Sequence, residues 1–354
     1  MSVRQDSGSR AAFERRLEAL REAPAYRNYL VVREHVLAML DRTGETPSRY
    51  WQEELEALDY LLDASPLVIE RLRRHCHLVT GIRPYEYRTG TERQAAAFEA
   101  KIDALADLAG GTDLLVPEHP ALGGFGWNIK GGLFNVDTIK FFEVLVGMQL
   151  AGVLERFGGD ERRVVCEIGA GWGGFAAQFK TLFPDVTYVI VDLPELFLFG
   201  ATYLTTLFPG ARVAYWDEPG AADELGGPEP PDFVFVPNGA LDELTPPRLD
   251  LVVNMVSFQE MTTEQVDRYA AWAERHRSPY LYSLNRNRSG YNTELTGVRE
   301  ILARHFAVHE VKVLPVPYTR PQESEPRGWL RRSHRPKKPG KREYRHLLAT
   351  PKSD

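Results

Sequence analysis

From about residue 160 onward the chain alternates short β-branched apolar runs with stretches of helical pattern. The runs fall at 163–168, 186–191, 233–237, 250–254 and 279–284. Strands separated by helical segments need crossover connections, which lay them parallel in one sheet with helices on both faces. Two further runs, at about 307–316 and 343–350, are joined by a Pro-, Arg- and Lys-rich segment with no clear crossover helix. An antiparallel hairpin at the sheet edge is expected there. The expected class is α/β, with a seven-stranded sheet closed by that hairpin.

The first 150 residues have a different texture. Apolar side chains recur at helical spacing: Phe13, Leu17 and Leu20, then Tyr29, Val32, Val36 and Leu40, then Leu55, Leu58, Leu61 and Leu62. Thr46 or Ser48 is placed to cap the third of these helices, and Ser65-Pro66 has the form of another helix start. Leu114 to Lys130 turns to Gly- and Pro-containing loop, and 137–150 reads as helix again. The expected division is a helical N-terminal lid region over 1–150, with a substrate-facing loop at 114–135, and an α/β catalytic domain over 151–354.

A chain of 354 residues with 43% hydrophobic and 26% charged residues is long enough for about two domains and reads as globular. Its net charge of −6 argues against general affinity for nucleic acid. Only Cys76 and Cys166 are present, so no disulfide framework is expected. The first twenty residues are charged throughout, and no segment offers the roughly 18 uncharged apolar residues of a membrane span. A cytoplasmic location and no membrane partner are the expectations; self-association into a homo-oligomer is left open.

The stretch "VVCEIGAGWGGFAAQF" starts as an apolar strand, then sets Glu167 two residues before a cluster of glycines. Ligands of open parallel sheets bind beyond the carboxyl ends of the strands, where glycine lets backbone approach closely. Two patterns fit. Gly169, Gly171 and Gly174 match the dinucleotide signature G-x-G-x-x-G, and Glu167, Gly169, Gly171 and Gly173 match E-x-G-x-G-x-G. Glu167 suits a ligand with a cationic group and would repel a pyrophosphate. Asp192, ending "VTYVIVD", can accept hydrogen bonds from a ribose diol in either case. The strand–helix repeats then run out after the fifth strand, whereas a dinucleotide domain completes a second half.

With Asp192-Leu193-Pro194-Glu195 and the terminal hairpin, this pattern resembles the class I S-adenosylmethionine-dependent methyltransferases, which have a Rossmann-like sheet. More narrowly, "GLFNVDTIKFFEVLVGMQLAGVL", "VCEIGAGWGG", "VDLPE", "NMVSFQEM" and "LYSLNR" resemble the bacterial putative sugar O-methyltransferases of natural-product glycosylation. The resemblance implies S-adenosylmethionine as methyl donor, leaving S-adenosylhomocysteine. Glu167, Gly169, Gly171 and Gly173 would hold the methionine portion and Asp192 the ribose. Asn238 would lie by the adenine, where relatives of this layout often have an acid. Asn254 would flank the methionine carboxylate or the reacting centre. The acceptor would be a small-molecule sugar or glycoside.

A sugar hydroxyl is a poor nucleophile until its proton leaves, so a base is worth looking for. Glu260 in "SFQEM" and His119 in "PEHP" are the candidates, although Glu260 also suits a helix start and His119 a solvated loop. Gln259 and Asn285 are placed to orient substrate hydroxyls, as is Ser257, or to satisfy loop backbone. Trp127, with Phe125 and Phe134, would stack on a sugar ring or else form a core seam, and Lys130 and Asn135 would touch substrate. His75 and His77 point to different sides of a helix, and no acidic cluster follows the fourth or fifth strand, so no metal is expected. The basic stretch 327–346 reads as a solvated loop or as an attractor of phosphorylated sugars. N-methylation of an aminosugar, NAD(P)-dependent oxidoreduction and non-catalytic binding are the alternatives.

Overall fold

The computed structural model describes residues 10–40, 47–288, 292–315, 318–320 and 343–352. Thr46 and most of the basic stretch 327–346 lie outside the described residues.

Among the described residues ten strands form in chain order: β1 (Trp127–Ile129), β2 (Gly132–Phe134), β3 (Arg163–Ile168), β4 (Val186–Asp192), β5 (Val213–Tyr215), β6 (Phe233–Pro237), β7 (Leu251–Met255), β8 (Leu281–Arg286), β9 (Ala307–Val311) and β10 (Tyr344–Thr350). β1 and β2 pair as a separate hairpin. The other eight make one sheet in the order β5-β6-β4-β3-β7-β8-β10-β9. All pairings from β5 to β8 are parallel, and β10 runs antiparallel to both β8 and β9. This is the Rossmann-like α/β arrangement with a terminal hairpin. The expected seven strands become eight because "VAY", too short to stand out by pattern, pairs with β6 as an extra edge.

The strands are near-continuous apolar runs because helices cover both faces of the sheet. On one face Val165, Tyr188, Phe235 and Val253 share a core with Tyr29, Val32 and Val36 of the helix Pro24–Leu40 and with Phe141 and Leu145 of the helix Val136–Leu150. On the other, Cys166, Val189, Val234 and Val252 pack against Val266, Ala270 and Trp272 of the helix Thr263–Arg275. One continuous apolar cluster thus joins the N-terminal helices to the sheet. Cys76 and Cys166 are both buried free thiols. Among the described residues, no helix is long and apolar enough to cross a membrane.

Chain direction across the sheet reverses at β3. The connections after β3 lead outward through β4 to the edge strand β5 and back one place to β6, and the chain then crosses to lay β7 and β8 on the other side. A crevice opens at such a switch point, beyond the carboxyl ends of β3 and β7.

Candidate active site

A cleft of about 650 Å³ lies at this switch point. Glu167, Gly169 and Gly171 line its floor from β3 and the following turn, Asp192 from the end of β4, and Asn238 from the end of β6. Gln259 and Glu260 line it from the turn after β7. Residues 47–54 and 77–83 of the N-terminal region form the opposite wall.

The glycines answer a backbone requirement. Gly169, Gly171 and Gly173 have φ of 72°, 58° and 77°, in the left-handed region that costs other residues steric strain. At Gly169 the turn also passes so close to the turn after β7 that an added Cβ would sit 2.0 Å from Ser257 Oγ. The following helix, Gly174–Leu182, starts at Gly173, which faces Gly200 and not the cleft.

Three carboxyls meet in the cleft with little to neutralise them. Burial pushes Glu167 up to about 8, against a hydrogen bond from the Tyr188 hydroxyl at 2.9 Å and the field of Lys140. Burial likewise pushes Asp192 up to about 7, although one of its oxygens accepts from Gly171 N at 2.7 Å and the other from Leu193 N at 2.8 Å. Burial raises Glu260 to about 8, opposed by a hydrogen bond with Gln259 and by Lys140. A floor of under-compensated acids beside bare backbone suits a ligand that brings a cation and hydroxyl donors.

Asn254 takes a different place from the expected one. It is fully buried and does not line the cleft. Its Nδ2 donates to Ile168 O and Ser257 Oγ, both at 2.8 Å, while its Oδ1 accepts from Phe258 N and Asn285 Nδ2. Asn285 is buried as well, and its own Oδ1 accepts from Gln259 N at 3.3 Å. The two amides tie the glycine turn to the turn carrying Gln259 and Glu260, so both support the floor. Between them Val256 is held at φ 64°, a strained setting for a β-branched residue.

The loop 114–135 does not face the cleft. His119 is exposed and its Nδ1 accepts from Ala121 N at 3.1 Å. Trp127 packs against Tyr87 and Phe98, with ring centroids 4.5 and 4.7 Å away. Lys130 is exposed and pairs with Asp103. Asn135 caps the helix Val136–Leu150 and donates to Glu118 and to Phe125 O. Phe125 and Phe134 are core residues. These side chains anchor the loop because a buried guanidinium draws it inward. Arg73 bonds Glu118 at 2.7 Å and Asp137 at 3.0 Å, and lies 3.7 Å over the Trp172 ring within the glycine turn.

Other residues take the places expected for that loop. Tyr50, Trp51, Tyr318 and Tyr344 are among the aromatic lining, and Lys140 and Arg286 are among the cations that line the cleft. Lys140 alone had a legible signal, as a lysine within the apolar helix "VDTIKFFEVLVGMQL". Ser48 stands at the N-cap of the helix Arg49–Leu55, yet its hydroxyl makes no cap and donates to Glu260 O at 2.7 Å. It joins the N-terminal wall to the turn after β7. Among the described residues, no group of three or more His, Cys, Asp or Glu is arranged to hold a metal ion.

No protein-family model matches the chain, and no curated relative matches it. Solved structures similar to it include human N-acetylserotonin methyltransferase in complex with SAM, at 13% identity and TM-score 0.35, covering 86% of this chain and 67% of that one. Magnesium protoporphyrin IX methyltransferase from Synechocystis PCC 6803 is similar at 14% identity and TM-score 0.36, over 63% of this chain and 87% of that one. Precorrin-6y C5,15-methyltransferase from Geobacter metallireducens is similar at 16% identity and TM-score 0.35, over 58% and 87%. Likeness at this level leaves the fold assignment resting on the strand order.

Proposed function

We propose that the chain is an S-adenosylmethionine-dependent methyltransferase acting on a hydroxyl of a sugar or glycosylated natural product. The observation that carries the donor is the placing of Glu167 and Asp192 on adjacent strand ends around a glycine turn, both buried and both lining the cleft. Glu167 would take the ammonium group, the bare turn the methionine chain, Asp192 the ribose hydroxyls, and Asn238 an edge of the base. When bound, S-adenosylmethionine supplies an electrophilic methyl group on a sulfonium.

The rest of the chemistry asked of this chain is modest. Walls from residues 47–54 and 77–83 and from Tyr318 and Tyr344 would exclude water and hold the acceptor, and alignment alone can supply about 7–11 kcal/mol of barrier reduction. Tyr50, Trp51, Tyr318 and Tyr344 offer ring faces of the kind that pack on sugar rings. Glu260 would take the hydroxyl proton; its raised affinity for protons suits a base working near neutral pH. Gln259, fixed through Arg286 N to its Oε1 at 2.9 Å, would orient the acceptor beside it.

Calorimetric titration with S-adenosylhomocysteine and with NADH tests the donor. Micromolar binding of the first and none of the second is expected; the reverse would replace this reading with an oxidoreductase. Incubating the donor with a panel of sugars, aminosugars and glycosides, with mass spectrometry for an added 14 Da, tests the acceptor. A product methylated on nitrogen would move the acceptor from hydroxyl to amine.

A further inference from the structure

The aminoacyl end of the proposed donor is a zwitterion, and a floor of acids answers only half of it. A carboxylate buried without a cation or donors costs several kcal/mol, so a partner must face it. Asn254, the residue placed there by sequence, spends its whole amide on Ile168, Ser257, Phe258 and Asn285.

We propose that Lys140 grips the carboxylate of the donor's aminoacyl end, forming with Glu167 an acid–base pair that fits the zwitterion. The inference rests on the donor reading above. Lys140 lies on the first turn and a half of the helix Val136–Leu150 and lines the same cleft as Glu167 and Gly169. The next residue, Phe141, packs on Trp172 within the glycine turn and on Phe175 just after it, with centroids 6.0 and 5.7 Å away, which sets the lysine beside that turn. Its charge acts on both Glu167 and Glu260.

Lys140 is also held ready. One ammonium hydrogen goes to Asp137 Oδ1 at 3.1 Å, while Asp137 Oδ2 is taken by Arg73 at 3.0 Å. An ammonium has three donors, so this leaves capacity for a ligand oxygen. Arg73, shared between Asp137 and Glu118, restrains the acid that orients the lysine.

Two probes that differ only at the aminoacyl end test this: S-adenosylhomocysteine, which has it, and 5′-methylthioadenosine, which lacks it. Calorimetry on wild type, Lys140→Met and Lys140→Arg should show K140M weakening S-adenosylhomocysteine roughly tenfold to hundredfold, as for loss of a charge-assisted hydrogen bond. Binding of 5′-methylthioadenosine should be unchanged, which also shows that the variant folds, and K140R should recover part of the loss. Equal weakening of both probes, or no weakening of S-adenosylhomocysteine, would overturn the role of Lys140 while leaving the donor reading in place. Failure of wild type to bind S-adenosylhomocysteine would overturn both.

Discussion

The Tyr188 hydroxyl donates to Glu167 Oε2 at 2.9 Å, from one strand to the next beneath the cleft floor. Both residues are almost wholly buried, so this bond is a main influence keeping the Glu167 carboxyl from rising further than about 8. Removing it with Tyr188→Phe should raise the carboxyl's proton affinity and shrink the ionised fraction at neutral pH. We expect affinity for S-adenosylhomocysteine to fall roughly tenfold at pH 7 and to recover toward pH 9, measured by calorimetry across pH. A loss independent of pH would mean that the tyrosine acts through packing.

Changing Glu260 should move stability and activity in opposite directions. Its carboxyl sits at about 8 in the folded chain against an ordinary 4.5. Between those values the folded chain holds a proton that the unfolded chain has released, so stability falls as pH rises through this window and levels off above it. Glu260→Gln should therefore unfold at higher denaturant than wild type at pH 8 and match it near pH 4. Activity should change the other way, with kcat lower by roughly 10²–10⁴-fold and the rise of rate toward pH 8 abolished. A variant that keeps its rate would remove Glu260 as the base.

Arg73 joins the short helix Leu72–His75 to the loop at Glu118 and to the helix at Asp137, with the side chains of all three wholly inaccessible. Arg73→Met leaves the buried Glu118 without its cation and Asp137 with Lys140 alone, and a loss of about 3–5 kcal/mol is expected by urea unfolding. The guanidinium also lies over Trp172, so the glycine turn should loosen, with faster hydrogen exchange at 169–175. A loss under about 1 kcal/mol would mean that the surroundings admit water and re-solvate the acids.

Gly169 and Ser257 form a contact in which neither can grow. Gly169→Ala forces a Cβ to 2.0 Å from Ser257 Oγ at a φ of 72°. The left-handed setting alone costs about 1–2 kcal/mol. We expect clear destabilisation and loss of S-adenosylhomocysteine binding, with part of the stability restored when Ser257→Gly is added. Strict additivity in that double-mutant cycle would place the whole cost in the backbone.

The sheet was legible in the amino-acid sequence because strand and helix periods are local properties of the chain. Runs such as "VVCEI" and "VTYVIVD" can be little else than buried strands, and the end-of-strand positions of Glu167 and Asp192 follow from them. The glycine turn was legible for the same reason: left-handed backbone is a demand met residue by residue, and Gly169, Gly171 and Gly173 record it. "VAY" escaped because three residues hold too little pattern to register as a strand.

What tertiary structure alone decided is which side chains outside the sheet turn toward the cleft. His119, Trp127, Lys130 and Asn135 have the chemistry of site residues, yet the buried Arg73–Glu118–Asp137 cluster and the aromatic packing around Trp127 hold that loop away from the cleft lining. Asn254 and Asn285 stand at the right strand ends, and long-range hydrogen bonds spend their amides on the floor's own support. Trp51, Lys140, Arg286 and Tyr318, far apart in the chain, converge on one cleft. Local pattern carries backbone conformation, but the direction of a loop side chain is set by partners distant in sequence, and those are known only once the chain has folded.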